Sequence, residues 1–168
     1  EMRLELSQIW DEPLRIVCSD DEPFRGKLEV ELFKGGMPRD EGSLLELLDR
    51  YEVEDNLPAL IVVNKVEKAA AVFRSLLRLK ETGRLREAIP LLLHSRLRLG
   101  VRQIVERLFE RESSELDLDR VILVATQVVE AGLDLDIRLL LTELSPIDSL
   151  IQRLGRCARR RDGRAIVF

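Results

Sequence analysis

The sequence predicts an α/β fold: one parallel sheet covered by helices on both faces. Three features carry that expectation. Several short runs are apolar at every position, as in strands buried on both sides. These runs alternate with segments that are apolar along one helical stripe. Polar residues follow directly after the runs, where ligands bind at the C-terminal edge of such a sheet. A length of 168 residues suits one main domain. With 45% hydrophobic and 35% charged residues, the chain can bury a core without a disulfide or metal staple. Cys18 and Cys157 lie far apart and form no Cys-x-x-Cys pair, which disfavours a disulfide framework or zinc site and fits a reducing cytoplasm. No apolar run approaches the ~18 residues of a membrane span. The first residues hold no signal-peptide core.

Residues 1–41 read as an acidic lead-in, and residues 42–168 as the domain. In the lead-in, residues 14–18 and 28–33 are extended runs. Asp20, Asp21, Glu22 and Pro23 supply a turn between them, so a β-hairpin is expected. Gly35, Gly36 and Pro38 then break the chain. Ser43 and Glu46 have capping-box spacing, ahead of Leu44, Leu47, Leu48 and Tyr51 at helical intervals. Residues 59–63 form the first buried strand. Val66, Ala69, Phe73, Leu76 and Leu77 mark an amphipathic helix closed near Gly83. Ile89–Leu93 is a second strand, followed by a helix carrying Val101, Ile104, Val105, Leu108 and Phe109. Val121–Ala125 and residues 137–141 are the third and fourth strands. Pro146 opens a helix with Ile147, Leu150, Ile151 and Leu154 as its apolar stripe. Residues 165–168 begin a fifth strand cut short by the end of the chain, which suggests a longer natural polypeptide.

Charge is uneven along the chain. Residues 1–55 hold 16 acidic against 7 basic residues, and the remainder holds 15 against 20. Arg153, Arg156, Arg159, Arg160, Arg161 and Arg164 crowd one short stretch, a local basic end able to meet phosphates within an acidic protein. Asn64, then His94, Ser95 and Arg96, then Thr126 and Gln127, then Glu143 and the arginine stretch follow successive strands, so all are expected on one edge of the sheet. On a continued helix, Asp148, Gln152, Arg156 and Arg159 would share one face. Two guanidinium forks there suit phosphate oxygens, and a solvated face paired with Asp148 and Asp162 is the other reading. After the third strand, Gly132 eases a tight turn and Asp134 offers an acceptor. His94 is the single histidine and reads as a structural hydrogen-bonder. No metal cluster is evident.

In this order the clusters resemble the second RecA-like domain of superfamily 2 helicases. Residues 125–134, Ala-Thr-Gln-Val-Val-Glu-Ala-Gly-Leu-Asp, look like motif V. Residues 152–159, Gln-Arg-Leu-Gly-Arg-Cys-Ala-Arg, look like motif VI. Residues 60–64 and His94-Ser95-Arg96 look like motifs IV and IVa. Residues 62–69, 93–96, 125–136 and 146–149 are most similar to the CRISPR-associated helicase–nuclease of type I systems.

That resemblance implies a RecA-like sheet and an ATP-dependent helicase or translocase on single-stranded DNA. It implies that Arg156 and Arg159 are arginine fingers and that Gln152 contacts the γ-phosphate and attacking water. Gly132, Asp134 and Arg153 are expected beside the nucleotide. Asn64, Ser95, Arg96, Thr126 and Gln127 are expected at the nucleic-acid backbone. ATP and Mg²⁺ would be held mainly by a first RecA-like domain, because this sequence contains no Gly-x-x-x-x-Gly-Lys-Ser/Thr loop and no Asp-Glu box. One histidine also leaves no histidine-rich nuclease site. The isolated chain is therefore expected to be inactive. The implied partners are that first domain, single-stranded DNA, a nuclease domain and a CRISPR surveillance complex, with no membrane. A non-catalytic docking module and a domain of another superfamily 2 DNA or RNA helicase are the alternatives.

Overall fold

A computed structural model of the protein describes residues 26–109, 117–130 and 133–168. Among these residues, six strands form one sheet: β1 (Leu28–Leu32), β2 (Ala59–Val62), β3 (Ile89–Leu93), β4 (Val121–Ala125), β5 (Leu139–Thr142) and β6 (Gly163–Val167). Four α-helices accompany them: α1 (Glu41–Arg50), α2 (Val66–Glu81), α3 (Leu99–Leu108) and α4 (Ile147–Leu154). The strand order is β1-β6-β5-β2-β4-β3, with every neighbouring pair parallel. This is the α/β architecture that the apolar runs predict.

The central strands β2, β4 and β5 are apolar almost throughout because each face of the sheet is covered. Ala59, Ile61, Ile122, Val124, Leu139, Leu141 and Ile166 point into one core, which Leu44 and Leu48 of α1 and Val72, Leu76 and Leu79 of α2 complete. Leu60, Val62, Leu123, Leu140, Ala165 and Val167 point into the other, against Val105 of α3 and Leu150 and Leu154 of α4. Burying one such side chain contributes ~1.5–3 kcal/mol relative to exposure. β2 lies between β4 and β5, so its C-terminal tip at Asn64 sits between the tips at Thr126 and Glu143.

Several local expectations are corrected. Residues 28–32 alternate apolar residues with Glu29 and Glu31, the pattern of a half-covered strand, and they form the edge of the sheet parallel to β6. The run at 14–18, expected as a hairpin partner, lies outside the described residues, as does Cys18. The N-cap of α1 is Asp40 rather than Ser43: its side chain accepts from the Ser43 N–H at 2.9 Å. α3 buries Val105, and its C-cap residue Phe109 is buried as well, but Val101 and Ile104 are exposed.

The largest correction concerns α4. It ends at Leu154, with Gly155 as its C-cap. The chain then turns through Ala158 at φ 57°. Cys157 makes a parallel bridge with Ile137, just ahead of β5. Arg156 and Arg159 therefore do not continue the helical face of Asp148 and Gln152. They lie in a loop near the N-terminal edge of the sheet, while Asn64, His94, Ser95, Arg96, Thr126, Gln127 and Glu143 lie at the C-terminal edge. The expected apolar stripe of α4 is also broken: Ile147 and Ile151 are exposed, and Arg153 takes the buried position. Among the described residues, no helix is long and apolar enough to cross a membrane.

Candidate functional site

Two groups of polar residues meet around α4. The first lies under the C-terminal edge and centres on Arg153, whose side chain has 0% exposure. Its Nε donates to Glu130 Oε1 at 2.9 Å, Nη1 to Thr142 Oγ1 at 3.0 Å and to the Glu143 carbonyl at 3.1 Å, and Nη2 to Asn64 Oδ1 at 3.1 Å. Asn64 is further fixed by its Nδ2 donating to the Leu144 carbonyl at 2.8 Å and its N–H donating to Glu143 Oε2 at 2.6 Å. Lys68 of α2, itself buried, pairs with Glu143 Oε1. Burial pushes the Glu143 carboxyl pKa upward, but the Asn64 N–H and the Lys68 ammonium outweigh it and hold the group below its ordinary range. Two cations and two carboxylates are thus matched inside the fold, tying together the ends of β2 and β5, the turn after β4 and two helices.

Arg153 was expected beside a nucleotide. Its complete burial, with each guanidinium nitrogen donating to a protein partner, makes it an internal strut instead. Thr126 is only 2% exposed, with its N–H donating to the Leu93 carbonyl at 3.3 Å, so it lies beneath the expected nucleic-acid face rather than on it. Gln127, Asn64, Ser95 and Arg96 are on the surface. Gln127 Nε2 reaches the Asn64 carbonyl at 3.5 Å, and Arg96 pairs with Glu67 in full solvent. His94 is buried between these loops. Burial and the Arg96 charge hold its pKa below 6.5, and its Nδ1 has no hydrogen-bond partner among the described residues.

The second group sits beyond the C-terminus of α4. Arg156 Nη1 donates to the Leu133 carbonyl at 2.6 Å and Nη2 to the Glu130 carbonyl at 2.8 Å. Burial and the neighbouring Arg159 charge lower its pKa, yet a guanidinium stays protonated at neutral pH. Arg159 Nη1 meets Asp134 Oδ1 at 2.6 Å, with the two side chains 39% and 47% exposed. Arg160 approaches the same carboxylate at 3.5 Å. Arg161 bridges Asp119 at 3.0 Å and Asp136 at 3.2 Å. An exposed pair such as Arg159–Asp134 contributes only ~0.2–1 kcal/mol, so another anion can displace the carboxylate. Gln152 is exposed on α4, one turn from its end. Gly132 lies outside the described residues.

Comparison with known proteins decides the family. The model of the C-terminal region of the CRISPR-associated nuclease/helicase Cas3 matches residues 55–162. The chain belongs to this Cas3 family. It is 30% identical over 127 residues to the CRISPR-associated helicase Cas3 of Thermoproteus tenax, covering 69% of this chain and 19% of that one. It is 36% identical over 124 residues to the Methanothermobacter thermautotrophicus nuclease/helicase Cas3, covering 68% and 14%. The chain thus spans a fifth or less of these relatives. Among solved structures, T. fusca Cas3 with ADP aligns with TM-score 0.67 and 26% identity, over 93% of this chain and 19% of that chain. The T. fusca Cas3–ATP structure aligns with TM-score 0.65 and 27% identity, over the same shares. The fold is the second RecA-like domain of a Cas3 helicase.

Sequence reasoning missed Lys68, and it placed Glu143 on the polar edge and Glu130 within the motif V stretch without assigning either a role. Lys68 occupies a helix already explained by its apolar stripe.

Proposed function

We propose that this chain is the C-terminal motor domain of an ATP-dependent, single-stranded DNA translocase of CRISPR interference, working in the cytoplasm with a first RecA-like lobe. When bound between the two lobes, ATP supplies the driving free energy of phosphoanhydride hydrolysis. Arg156 and Arg159 neutralise charge on the transferred phosphoryl group, and Gln152, exposed on the last turn of α4, contacts the γ-phosphate and the attacking water. Asp134 holds Arg159 until a phosphate replaces it. Asn64, Ser95, Arg96 and Gln127 line the edge that meets the DNA backbone, with Thr126 supporting them from below. The carboxylates near the arginines are already matched with guanidinium groups, so Mg²⁺ belongs with the other lobe. A nuclease domain and a surveillance complex are the further partners, and the isolated chain does not turn over ATP.

The observation that supports this reading is the condition of the two arginines. Arg156 spends two of its five N–H donors on main-chain carbonyls among the described residues, which leaves others for phosphate oxygens, and Arg159 rests on the Gly155 carbonyl and a half-exposed carboxylate that a phosphate can replace. The test is ATP turnover by the full-length protein. Arg156→Ala and Arg159→Ala should each lower the rate by about 10³-fold or more while DNA binding persists. Near-normal turnover in both variants would overturn the assignment. Salt-dependent DNA binding by this chain, indifferent to the first lobe and ATP, would favour a docking module instead.

A further inference from the structure

We propose that Glu130 is the positioning residue of Arg156: its carboxylate, anchored on buried Arg153, fixes the carbonyl against which the Arg156 guanidinium rests. The inference builds on the role proposed above for Arg156. Glu130 is the last residue of the 3-10 turn Gln127–Glu130 that follows β4. Two arginines three residues apart grip it at different atoms. Arg153 Nε holds the side-chain Oε1 at 2.9 Å, and Arg156 Nη2 holds the main-chain oxygen at 2.8 Å.

Arg153 itself cannot move. It is enclosed on all sides and tied to Thr142, Glu143 and Asn64. Arg156 stands just past α4 with its backbone held, its N–H donating to the Arg153 carbonyl at 3.0 Å and its carbonyl accepting from the Ile137 N–H at 3.1 Å, but its long side chain is placed by the Leu133 and Glu130 carbonyls. A rigid path therefore runs from the sheet through Arg153 and the Glu130 side chain to the Glu130 carbonyl, and so to the guanidinium. The length of the Glu130 side chain sets where that carbonyl stands. Its charge serves a different purpose, the neutralisation of Arg153.

Length and charge can be separated. In the full-length protein, Glu130→Gln keeps the length and an acceptor for Arg153 Nε, and Glu130→Asp keeps the charge but is one methylene shorter. Both leave Arg153 a partner, and thermal melting checks that both fold. If Glu130 positions Arg156, E130Q retains kcat for ATP within about threefold, while E130D loses about ten- to a hundredfold at little change in KM. In an Arg156→Lys background, which blunts the fork without abolishing activity, E130D makes less than about a twofold further difference, because both act through one group. Wild-type turnover by E130D, an E130Q as impaired as E130D, or multiplying effects of E130D and R156K would each overturn the proposal. Failure of the underlying role of Arg156 shows separately, as wild-type turnover by R156K whatever the Glu130 variants do.

Discussion

Arg153 shows how far one residue's environment can depart from its appearance in the sequence. It stands among six arginines of similar aspect, yet it alone is wholly enclosed. Losing one partner of a buried ion pair costs ~3–5 kcal/mol. Arg153→Met should therefore lower stability in chemical denaturation by an amount in that range, and a loss below about 1 kcal/mol would contradict the strut. The charge was legible in the sequence and the burial was not. Distinguishing the arginines requires knowing that Glu130, Thr142 and Asn64 converge on one of them, which depends on three separate strand ends. Cys157 gives a second test at this scale. Burial, joined by the Asp136 charge, pushes its thiol up to about 12 against backbone hydrogen bonds that pull the other way. The thiolate is the reactive form, so Cys157 should resist alkylation at pH 8 in the native protein and react once denaturant is added. Mass spectrometry of the labelled peptide reads this directly.

At the level of elements, the strands were legible and the joints between them were not. Strands buried on both faces are apolar almost throughout, so β2, β4 and β5 stand out to within two residues, and β3, a partly buried edge strand, stands out because it too is wholly apolar. β1 stood out as an extended run at 28–33, but its parallel pairing with β6 did not, because Glu29 and Glu31 among its apolar residues make it resemble a hairpin arm. Helix ends were the weaker point. The pattern of Gln152, Arg156 and Arg159 fits a continued helix, but backbone pairing of Cys157 with Ile137 pulls the chain away after Leu154. The entry to β1 is equally constrained. A Cβ at Gly26 would lie 2.0 Å from the Arg161 carbonyl oxygen and 2.6 Å from the Asp162 nitrogen. Gly26→Ala should force β1 and the arginine loop apart and cost ~1–3 kcal/mol, as an overpacked site does. An unchanged denaturation midpoint would argue against so close an approach.

For the molecule as a whole, the matched charges beneath the C-terminal edge imply a pH dependence. Glu143 holds its proton less tightly in the fold than at its ordinary value of 4.5. The stability this brings is fully present above the unfolded pKa and is lost as the pH falls through the lower folded one. Melting midpoints should therefore drop as the pH goes below about 4.5. Glu143→Gln should lower the midpoint at pH 7 and flatten the acid limb. A variant with an undiminished acid limb would place the sensitivity elsewhere. Membership of the Cas3 family and the RecA-like sheet were both legible from motif order, because that order follows the succession of strand ends. The division of the arginines between an inner strut and an outer loop was not.

The pairing of β1 with β6 has a consequence for how the protein is made. Leu28 is synthesised 135 residues before its neighbour Gly163. During that interval the first strand lacks β6, its one neighbour among the described residues, and β5 lacks one of its two neighbours. Nascent chains thus carry unsatisfied sheet edges throughout that interval, a period in which holding chaperones have much to protect.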